Sequence, residues 1–389
     1  MKSRAVLAIT DFQLKRISGG GQYVVAILIN SLRKYYKIKY VGQPNKYPKI
    51  KTYYPYKTAT FGYTSDENSL LKKIIKSNTV RRVVRYAFHR FTFIQNRLLK
   101  EGVIDCDIVL SNSNYDDVIL SADSKFHINY KGAIFVNHNP YYDFDKYYPD
   151  RLIKGKPFKI VALNSEDYRI LSKRYGNENV VLIYNGVYRV PKKFSENYLH
   201  SLGITRGTKL LLSVGRLEDS AKKLSLAIKS IKSLLKDRQD IIYLIAGDGP
   251  SKDKYARLIS KFKLKDKVRL LGFISDAEKT TLLRRADIFL QPSNKETFGI
   301  ATVEALQAGA IVLTTKNKGS TDIIKDSKNG FFIKMTAKDI SKKISEILRA
   351  PQENLDRLKK EAIKTSKKFS VDAMIQQYKN IINELIKRL

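Results

Sequence analysis

Short apolar runs alternate with amphipathic stretches along the whole chain, and this alternation predicts an α/β architecture with parallel sheets. Strands are predicted in the first half at Ala5–Asp11, Ile38–Gly42, Ile108–Ser113, Ala133–Asn137, Ile160–Asn164 and Val180–Tyr184. In the second half they are predicted at Leu210–Val214, Ile241–Ala246, Val268–Leu271, Ile288–Gln291, Ile311–Thr315 and Phe331–Ile333. Helices are predicted between the strands, for example at Gln22–Tyr35, Leu224–Leu235 and Tyr255–Phe262, and over Glu353–Leu389. Each half therefore has the pattern of one doubly wound, Rossmann-like domain.

A turn signal followed by a proline, Asn185-Gly-Val-Tyr-Arg-Val-Pro191, separates the two halves. A chain of 389 residues is long for one domain and sufficient for two. The predicted domains are residues 1–188 and 189–370, followed by a C-terminal helix over 371–389.

The amino-acid composition indicates the cellular compartment in which the protein is expected. The single Cys106 excludes internal disulfides and fits a reducing compartment. No apolar run approaches the roughly 20 residues that a membrane span needs. The first residues are basic and then apolar, but the apolar part is too short for a signal peptide and is better interpreted as a strand. We therefore expect a cytoplasmic protein that can associate peripherally with the inner face of the cell membrane.

The net charge of +36 is spread over both halves and predicts attraction to polyanions. Anionic lipid head groups and acidic glycans are candidate partners, whereas the absence of a recognisable nucleic-acid-binding module means that no nucleic acid is expected. Leu70–Lys100 carries nine Lys or Arg residues and no acid, with apolar residues at helical spacing. Such a helix fits an anionic membrane surface. It equally fits a helix that packs on the core and exposes a basic face.

Two carboxylates, Glu296 and Glu304, stand eight residues apart after the strand at Ile288–Gln291. The first should lie on a strand-to-helix loop and the second about one turn inside a helix that ends at Gly309. The helix N-terminus between them offers free N–H groups and the positive end of a dipole. This arrangement suits a ligand with hydroxyls at both ends and phosphates in the middle, such as a nucleotide sugar. It also fits an ordinary strand, loop and helix with two surface acids.

Glycine-rich turns follow several other predicted strands. Ser18-Gly-Gly-Gly21 precedes the first helix but does not satisfy the dinucleotide-binding fingerprint. Arg216 ends a strand in Ser213-Val-Gly-Arg216, with Lys222 and Lys223 close behind. An Arg and a Lys converging at this sheet edge would neutralise a diphosphate leaving group. Further strand-end turns are Ala246-Gly-Asp-Gly-Pro250 and Leu271-Gly-Phe-Ile274.

In their order, these motifs resemble the retaining glycosyltransferases of family four (glycosyl transferases group 1), which have the GT-B fold. The motifs are Asn185-Gly-Val, Val214-Gly-Arg-Leu, Ala246-Gly-Asp-Gly-Pro, Leu271-Gly-Phe and Pro292-Ser through Glu296 and Glu304 to Gly309. The resemblance covers most of residues 180–335 and is looser before them. It implies two Rossmann-like domains that face each other across a cleft, with the C-terminal helix crossing back to the first domain. The nucleotide sugar would bind to the second domain and the acceptor to the first.

The resemblance also implies residue roles. Glu304 would bind the ribose hydroxyls, and Glu296 the hydroxyls of the transferred sugar. Arg216 and Lys222 would stabilise the departing diphosphate. The backbone N–H groups of Phe298, Gly299 and Ile300 would meet the phosphates, Gly20 and Gly21 would approach them from the opposite domain, and Phe273 and Ile274 would flank the base.

The chain departs from the family pattern around its motif lysine. Lys223 stands where a Gly usually follows that lysine, and one extra residue separates it from Arg216, so Lys222 and Lys223 are both candidates for the phosphate ligand. Ala310 replaces a common Pro, and Asp322 stands where the family often has Glu.

Two further features lie in the first half. His138 follows a predicted strand where family members often place a His near the sugar, although a loop His with a purely structural role fits as well. Asp105-Cys-Asp107 and Asp143-Phe-Asp145 resemble the Asp-x-Asp metal motif of the other major glycosyltransferase fold. We interpret both as chance, because the other motifs favour the metal-free fold.

We therefore expect a metal-independent, retaining transfer of a sugar from a nucleoside-diphosphate sugar to a hydroxyl of a glycan or lipid-linked acceptor, without a cofactor. Synthesis of a cell-surface polysaccharide or glycolipid is the expected context. The alternatives are a sugar-nucleotide epimerase or phosphorylase on the same fold, and a non-catalytic polyanion-binding protein.

Overall fold

The computed structural model describes residues 5–11, 20–42, 52–53, 102–112, 126–138, 155–192 and 194–389. Contacts between Cα atoms divide the chain into two compact units. Unit 1 comprises residues 1–17, 25–160 and 379–389, and unit 2 comprises residues 18–24 and 161–378. The domain boundaries given above, at 188/189 and 370/371, stay predictions.

The first sheet is built, among the described residues, from β1 (Val6–Asp11), β2 (Lys37–Gly42), β3 (Thr52–Tyr53), β4 (Gly102–Ser111), β5 (Phe126–Val136), β6 (Phe158–Ala162) and β7 (Val180–Leu182). Their order in the sheet is β3-β2-β1-β4-β5-β6-β7. The pairs β1–β2, β1–β4 and β4–β5 are parallel, as the alternating sequence pattern predicts.

Strands β4 and β5 begin six and seven residues earlier than predicted. Their first halves alternate between buried and exposed side chains: Ile104 and Cys106 are buried, whereas Asp105 is exposed. The sequence prediction relied on continuous apolar runs and so missed these half-buried stretches. Both aspartates of the Asp-x-Asp motif are strand residues, and Asp107 accepts a hydrogen bond from the Val6 backbone N–H at 2.9 Å.

The second sheet consists of β8 (Lys209–Val214), β9 (Ile241–Ala246), β10 (Val268–Gly272), β11 (Ile288–Gln291), β12 (Ile311–Thr314) and β13 (Phe331–Phe332). The order β10-β9-β8-β11-β12-β13, with parallel pairing throughout, is that of a doubly wound sheet. The order reverses between β8 and β11. Crevices at the carboxyl ends of such a strand pair are where doubly wound sheets bind ligands.

Period-two alternation places the apolar residues of these strands on opposite faces of the second sheet. Leu210, Leu212 and Phe289 belong to one buried cluster, and Leu211 and Leu290 belong to the other. Both faces are covered by helices, so the strands are almost continuously apolar, as is usual for parallel sheets. The second-half strands consequently matched their predictions within one residue at each end.

The described helices are α1 (Gly20–Leu32), α2 (Ser165–Tyr175), α3 (Glu196–Ser201), α4 (Asp219–Lys222), α5 (Leu224–Leu234), α6 (Lys252–Lys261), α7 (Asp276–Arg285), α8 (Ile300–Ala308), α9 (Lys318–Ile323), α10 (Ala337–Arg349), α11 (Gln352–Ser366) and α12 (Val371–Lys387). A short 3₁₀ turn, Lys367–Phe369, joins the last two helices. The helical stretch predicted over Glu353–Leu389 is therefore interrupted, whereas the C-terminal helix predicted over 371–389 is continuous to Lys387. The interruption directs the buried Phe369 ring edge-on against Tyr184 and Phe298.

Candidate functional site

The two predicted carboxylates lie where the sequence places them. Glu296 is on the loop between β11 and α8, and Glu304 is in the second turn of α8. Their side chains are only 14% and 9% exposed, respectively. Carboxylates this far removed from water need partners, so the interpretation as two surface acids is wrong.

The loop that carries Glu296 is fixed by distant parts of unit 2. Gly319 donates its backbone N–H to the Glu296 carbonyl at 3.0 Å. Asn164, which is fully buried, donates from Nδ2 to the Thr297 carbonyl at 3.0 Å. At Gly319 a Cβ would collide with the Phe298 backbone, so this position requires a glycine. The loop is therefore held in place by contacts to its backbone.

Helix α8 begins without a side-chain cap. Its N-cap is Gly299, at φ 110° in the left-handed region that favours glycine. The first N–H groups of a helix have no intrahelical partner. Phe298 buries its ring in the core, and Ile300 packs against the same core. The backbone N–H groups of Phe298, Gly299 and Ile300 are thus the polar groups that this segment offers between the two carboxylates.

Lys222 forms an ion pair with Glu296, which also accepts a hydrogen bond from Gln291 Nε2 at 2.7 Å. Lys223 instead adopts the left-handed conformation, φ 52°, between α4 and α5. A glycine is usual at this point of the family pattern, and the positive φ gives the physical reason. Of the two candidate lysines, the structure therefore brings Lys222 into the site.

A buried carboxylate anchors the segment that presents Lys222. Asp219 accepts hydrogen bonds from the Ser225 N–H and hydroxyl, both at 2.9 Å, and pairs with Lys254 Nζ at 2.6 Å. Burial alone would raise the pKa of Asp219, but the hydrogen bonds from Lys254 and Ser225 outweigh it and lower the pKa. Asp219 is thus an anion that ties the short helix α4 to α5 and α6.

Arg216 follows β8 but is half-exposed and lies 3.4 Å from Glu218, to which it is paired. A small pocket at the carboxyl ends of β8 and β11 nevertheless includes both Arg216 and Lys222 in its lining, together with Gln291 and Ser293. The hydroxyl of Ser293 is buried and has no hydrogen-bond partner within the described part of the chain. The two predicted diphosphate-binding cations therefore line one pocket without touching each other.

The other glycine turns have a packing role. A Cβ on Gly247 would collide with the Gly215 carbonyl, and a Cβ on Gly249 would lie 2.6 Å from the Leu217 carbonyl oxygen. The turns after β8 and β9 are interlocked by the Leu217 N–H, which donates to the Asp248 carbonyl at 2.9 Å. These glycines position the segment around Arg216.

Lys279 on α7 is a residue of the site that was not identified from the sequence. Its Nζ donates to Glu304 Oε1 at 2.8 Å. Burial lowers the pKa of Lys279, but the charges and hydrogen bonds of Glu304 and Asp276 together outweigh it, so the net shift is upward and the ammonium is charged at neutral pH. A lysine is unremarkable in so basic a chain, and only the packing of α7 on α8 identifies it.

The remaining predicted donor-site residues are Phe273, Ile274, Gly20 and Gly21. Phe273 is 63% exposed, a conspicuous value for an aromatic ring, and Ile274 packs against the core cluster beside it. Gly20 and Gly21 form the start of α1, two residues earlier than the predicted helix, and group with unit 2. Their assigned roles stay predictions.

His138 lies directly after β5 in unit 1, next to Asn112, which follows β4. Its Nε2 is 2.7 Å from Asn112 Oδ1, and because that oxygen can only accept, Nε2 carries the proton. Burial lowers the pKa of His138 to about 4, so the ring is neutral at physiological pH. This histidine is therefore a hydrogen-bonded neutral group at the carboxyl ends of the central strands.

Two predicted features are outside the described residues: the Asp143–Asp145 motif and the basic segment Leu70–Lys100. Within the described ranges, no cluster of His, Cys, Asp and Glu could hold a metal ion. Of the helices that the structure describes, none combines the length and apolar character needed to cross a membrane.

The chain is similar in sequence to known glycosyltransferases. Residues 194–365 match the family model described as glycosyl transferases group 1. An uncharacterized glycosyltransferase of Methanocaldococcus jannaschii is 31% identical over 162 residues, covering 40% of this chain and 41% of the relative. The alpha-monoglucosyldiacylglycerol synthase of Acholeplasma laidlawii is 27% identical over 185 residues, covering 48% of this chain and 46% of the relative. The chain thus matches less than half the length of these curated relatives.

The structural comparison is more extensive. HepE of Anabaena in complex with UDP and glucose superposes with a TM-score of 0.70 over 98% of this chain and 100% of HepE, at 16% identity. This likeness establishes the fold, and the predicted GT-B class is confirmed. The match to the glycosyl transferases group 1 family model is confined to residues 194–365, which is less than half of the chain.

Proposed function

We propose that the protein transfers a sugar from a nucleoside-diphosphate sugar to a hydroxyl of a glycan or lipid-linked acceptor, with retention at the anomeric carbon. The observation that carries the proposal is the arrangement of Glu296 and Glu304 around the uncapped N-terminus of α8, with Lys222 in contact with Glu296. Polar groups for hydroxyls therefore flank a group of N–H donors and a cation suited to phosphate.

The donor would lie along this arrangement. Glu304 would accept from the ribose hydroxyls, and the α8 N–H groups would meet the phosphates. Glu296 would accept from hydroxyls of the transferred sugar. Because Lys222 touches Glu296, a sugar held there would have its diphosphate close to the Lys222 ammonium and to Arg216. These cations would stabilise the negative charge that develops as the diphosphate leaves.

A front-face mechanism fits this residue set, because both donor-site carboxylates are assigned to ligand hydroxyls and neither is assigned as the nucleophile that a double displacement requires. The bond from the anomeric carbon to the diphosphate oxygen breaks while the acceptor oxygen bonds to the same face. The leaving phosphate oxygen takes the acceptor proton. His138, being neutral, would serve as a hydrogen-bonding group for the sugar and not as a charge carrier. We propose that no divalent ion is required, because Lys222, Arg216 and a helix N-terminus are available to the diphosphate.

Relatives suggest the acceptor class. The synthase of Acholeplasma laidlawii is named for a glycolipid product, and a relative from Niallia circulans is named a 2-deoxystreptamine N-acetyl-D-glucosaminyltransferase. We favour a glycan or lipid-linked acceptor, in keeping with the basic segment Leu70–Lys100 and the net charge of +36. On this proposal, the protein is cytoplasmic and associates with the inner face of the membrane through that segment.

The test is a panel of UDP-, GDP- and ADP-sugars, each assayed for thermal stabilisation, slow hydrolysis and transfer to added acceptors. Stabilisation by one nucleotide class, with release of its diphosphate and formation of a glycoside of unchanged anomeric configuration, is the expected result. Conversion of the donor to an epimer without any acceptor would favour an epimerase. Binding of acidic glycans but of no sugar nucleotide would favour a non-catalytic polyanion-binding protein.

A further inference from the structure

The ion pair between Lys279 and Glu304 is largely removed from water. The Lys279 and Glu304 side chains are 24% and 9% exposed, and Nζ lies 2.8 Å from Oε1. Within the described part of the chain, Lys279 is the one donor that bonds the Glu304 side chain. An ionised carboxylate accepts hydrogen bonds at about four lone-pair positions. Lys279 occupies one of them, and no other described donor bonds the rest.

We propose that Lys279 is a positioning residue that makes the nucleotide site selective for ribose. It fixes Oε1 and neutralises the buried charge, so that the carboxylate presents its remaining lone pairs to the two ribose hydroxyls. The inference rests on the proposed function, because it concerns the same donor site. On this proposal, discrimination between ribose and deoxyribose depends on the Lys279–Glu304 ion pair and not on Glu304 alone.

The local structure holds Lys279 in place. Helix α7 begins with a capping box in which Ser275 and Glu278 exchange hydrogen bonds, at 2.6 Å and 3.2 Å. Lys279 lies in the next position and also comes within 3.4 Å of Asp276 Oδ1 on the same helix. Asp276 is almost fully exposed, so its charge is screened, and the buried Glu304 is the stronger partner.

The groups that face the pair explain why a cation is needed. Besides Asp276, the titratable neighbour is Tyr23 of α1, whose segment groups with unit 2. Burial is the main cause that raises the pKa of Tyr23 to about 12, so its phenol is neutral. Lys279 is therefore the cation that compensates Glu304 among the described residues. Without it, the buried Glu304 carboxylate would have no described counter-ion and would lose the hydrogen bond that fixes Oε1.

The experiment measures binding of UDP, GDP and ADP to the full-length protein by calorimetry, and then of the 2′-deoxy and 3′-deoxy forms of the nucleotide that binds. We expect the unaltered protein to prefer the ribose form by about 10-fold or more, as for a hydrogen bond to a charged group. Lys279→Met should reduce this preference to about 2-fold or less, whereas Lys279→Arg should keep most of it.

The matched control is Arg238→Met. Arg238 pairs with Asp240 at 2.7 Å and is 22% exposed, but it precedes β9 and so lies at the amino end of the sheet, opposite the site. This variant should lose thermal stability and keep the full ribose preference. A loss of preference caused only by weakened folding would appear in both variants.

The outcomes separate this inference from the function on which it rests. If none of the three nucleotides binds the unaltered protein, the proposed function fails and the inference fails with it. If a nucleotide binds and Lys279→Met keeps the ribose preference, the inference alone is overturned. Tighter binding by Lys279→Met would also overturn it, because Lys279 would then compete with the ribose for Glu304.

Discussion

Gly319→Ala tests whether the position of the Glu296 loop depends on close backbone packing. A Cβ at residue 319 would lie 2.7 Å from both the carbonyl carbon and the Cα of Phe298. Carbon atoms in favourable contact are about 3.5–4.0 Å apart, so the loop would have to withdraw by roughly 0.8 Å. The Gly319 N–H that donates to the Glu296 carbonyl would move with it. No flexible side chain is available to absorb the shift, since the collision is with backbone.

We expect two effects of this substitution. Stability should fall by about 1–3 kcal/mol, the usual cost of overpacking, and the displaced carboxylate should reduce the transfer rate by up to about 10²-fold. Gly207→Ala is the matched control, because a Cβ there meets nothing within 4 Å and the residue is not in the left-handed region. It should leave the rate unchanged.

The assay combines thermal unfolding with the transfer rate at saturating donor and acceptor, for both variants. A transfer rate that is still reduced when the variants are compared at equal fractions of folded protein would support the packing argument. A Gly319→Ala protein with the activity and melting temperature of the Gly207→Ala protein would refute the packing argument.

Four further outcomes are expected. Glu304→Ala and Arg216→Ala should each reduce transfer by at least ~10²-fold, the former mainly through weaker donor binding; nearly normal rates in both would contradict the site assignment. Transfer should persist in EDTA, and a complete loss that manganese restores would contradict metal independence. Because His138 has its pKa lowered to about 4, below the ~6.5 of an unfolded histidine, its contribution to stability is complete above pH ~6.5 and is lost as pH falls towards 4. His138→Gln should flatten the plot of unfolding free energy against pH over this range. The pH dependence of the transfer rate near pH 6.5 should be the same in His138→Gln as in the unaltered protein. Leu70–Lys100 should bind anionic but not neutral liposomes in a salt-sensitive manner, and charge reversal within Arg81–Arg85 should abolish sedimentation without affecting donor hydrolysis.

The pattern of apolar and polar residues predicted the bounds of an element correctly where the element's own residues define those bounds. The second sheet was predicted almost to the residue because its strands are buried on both faces and bounded by glycine turns. The prediction was poorer for β4 and β5, whose first halves have one exposed face and mix aspartate, asparagine and lysine with apolar residues. In such stretches the apolar signal is halved, and pairing with a neighbouring strand decides where the strand begins.

The candidate site likewise has some features that follow from local sequence and others that follow from tertiary packing. Spacing and helix punctuation are local properties, so the residues alone predict that Glu296 precedes a helix, that Glu304 lies about one turn inside it and that Gly309 ends it. The cation that pairs with each carboxylate depends on the tertiary fold. Lys222 and Lys279 precede their partners by 74 and 25 residues, and each reaches its carboxylate only because separate helices pack around the same sheet edge. Such contacts depend on the packing of distant elements, whose geometry no local pattern of residues encodes.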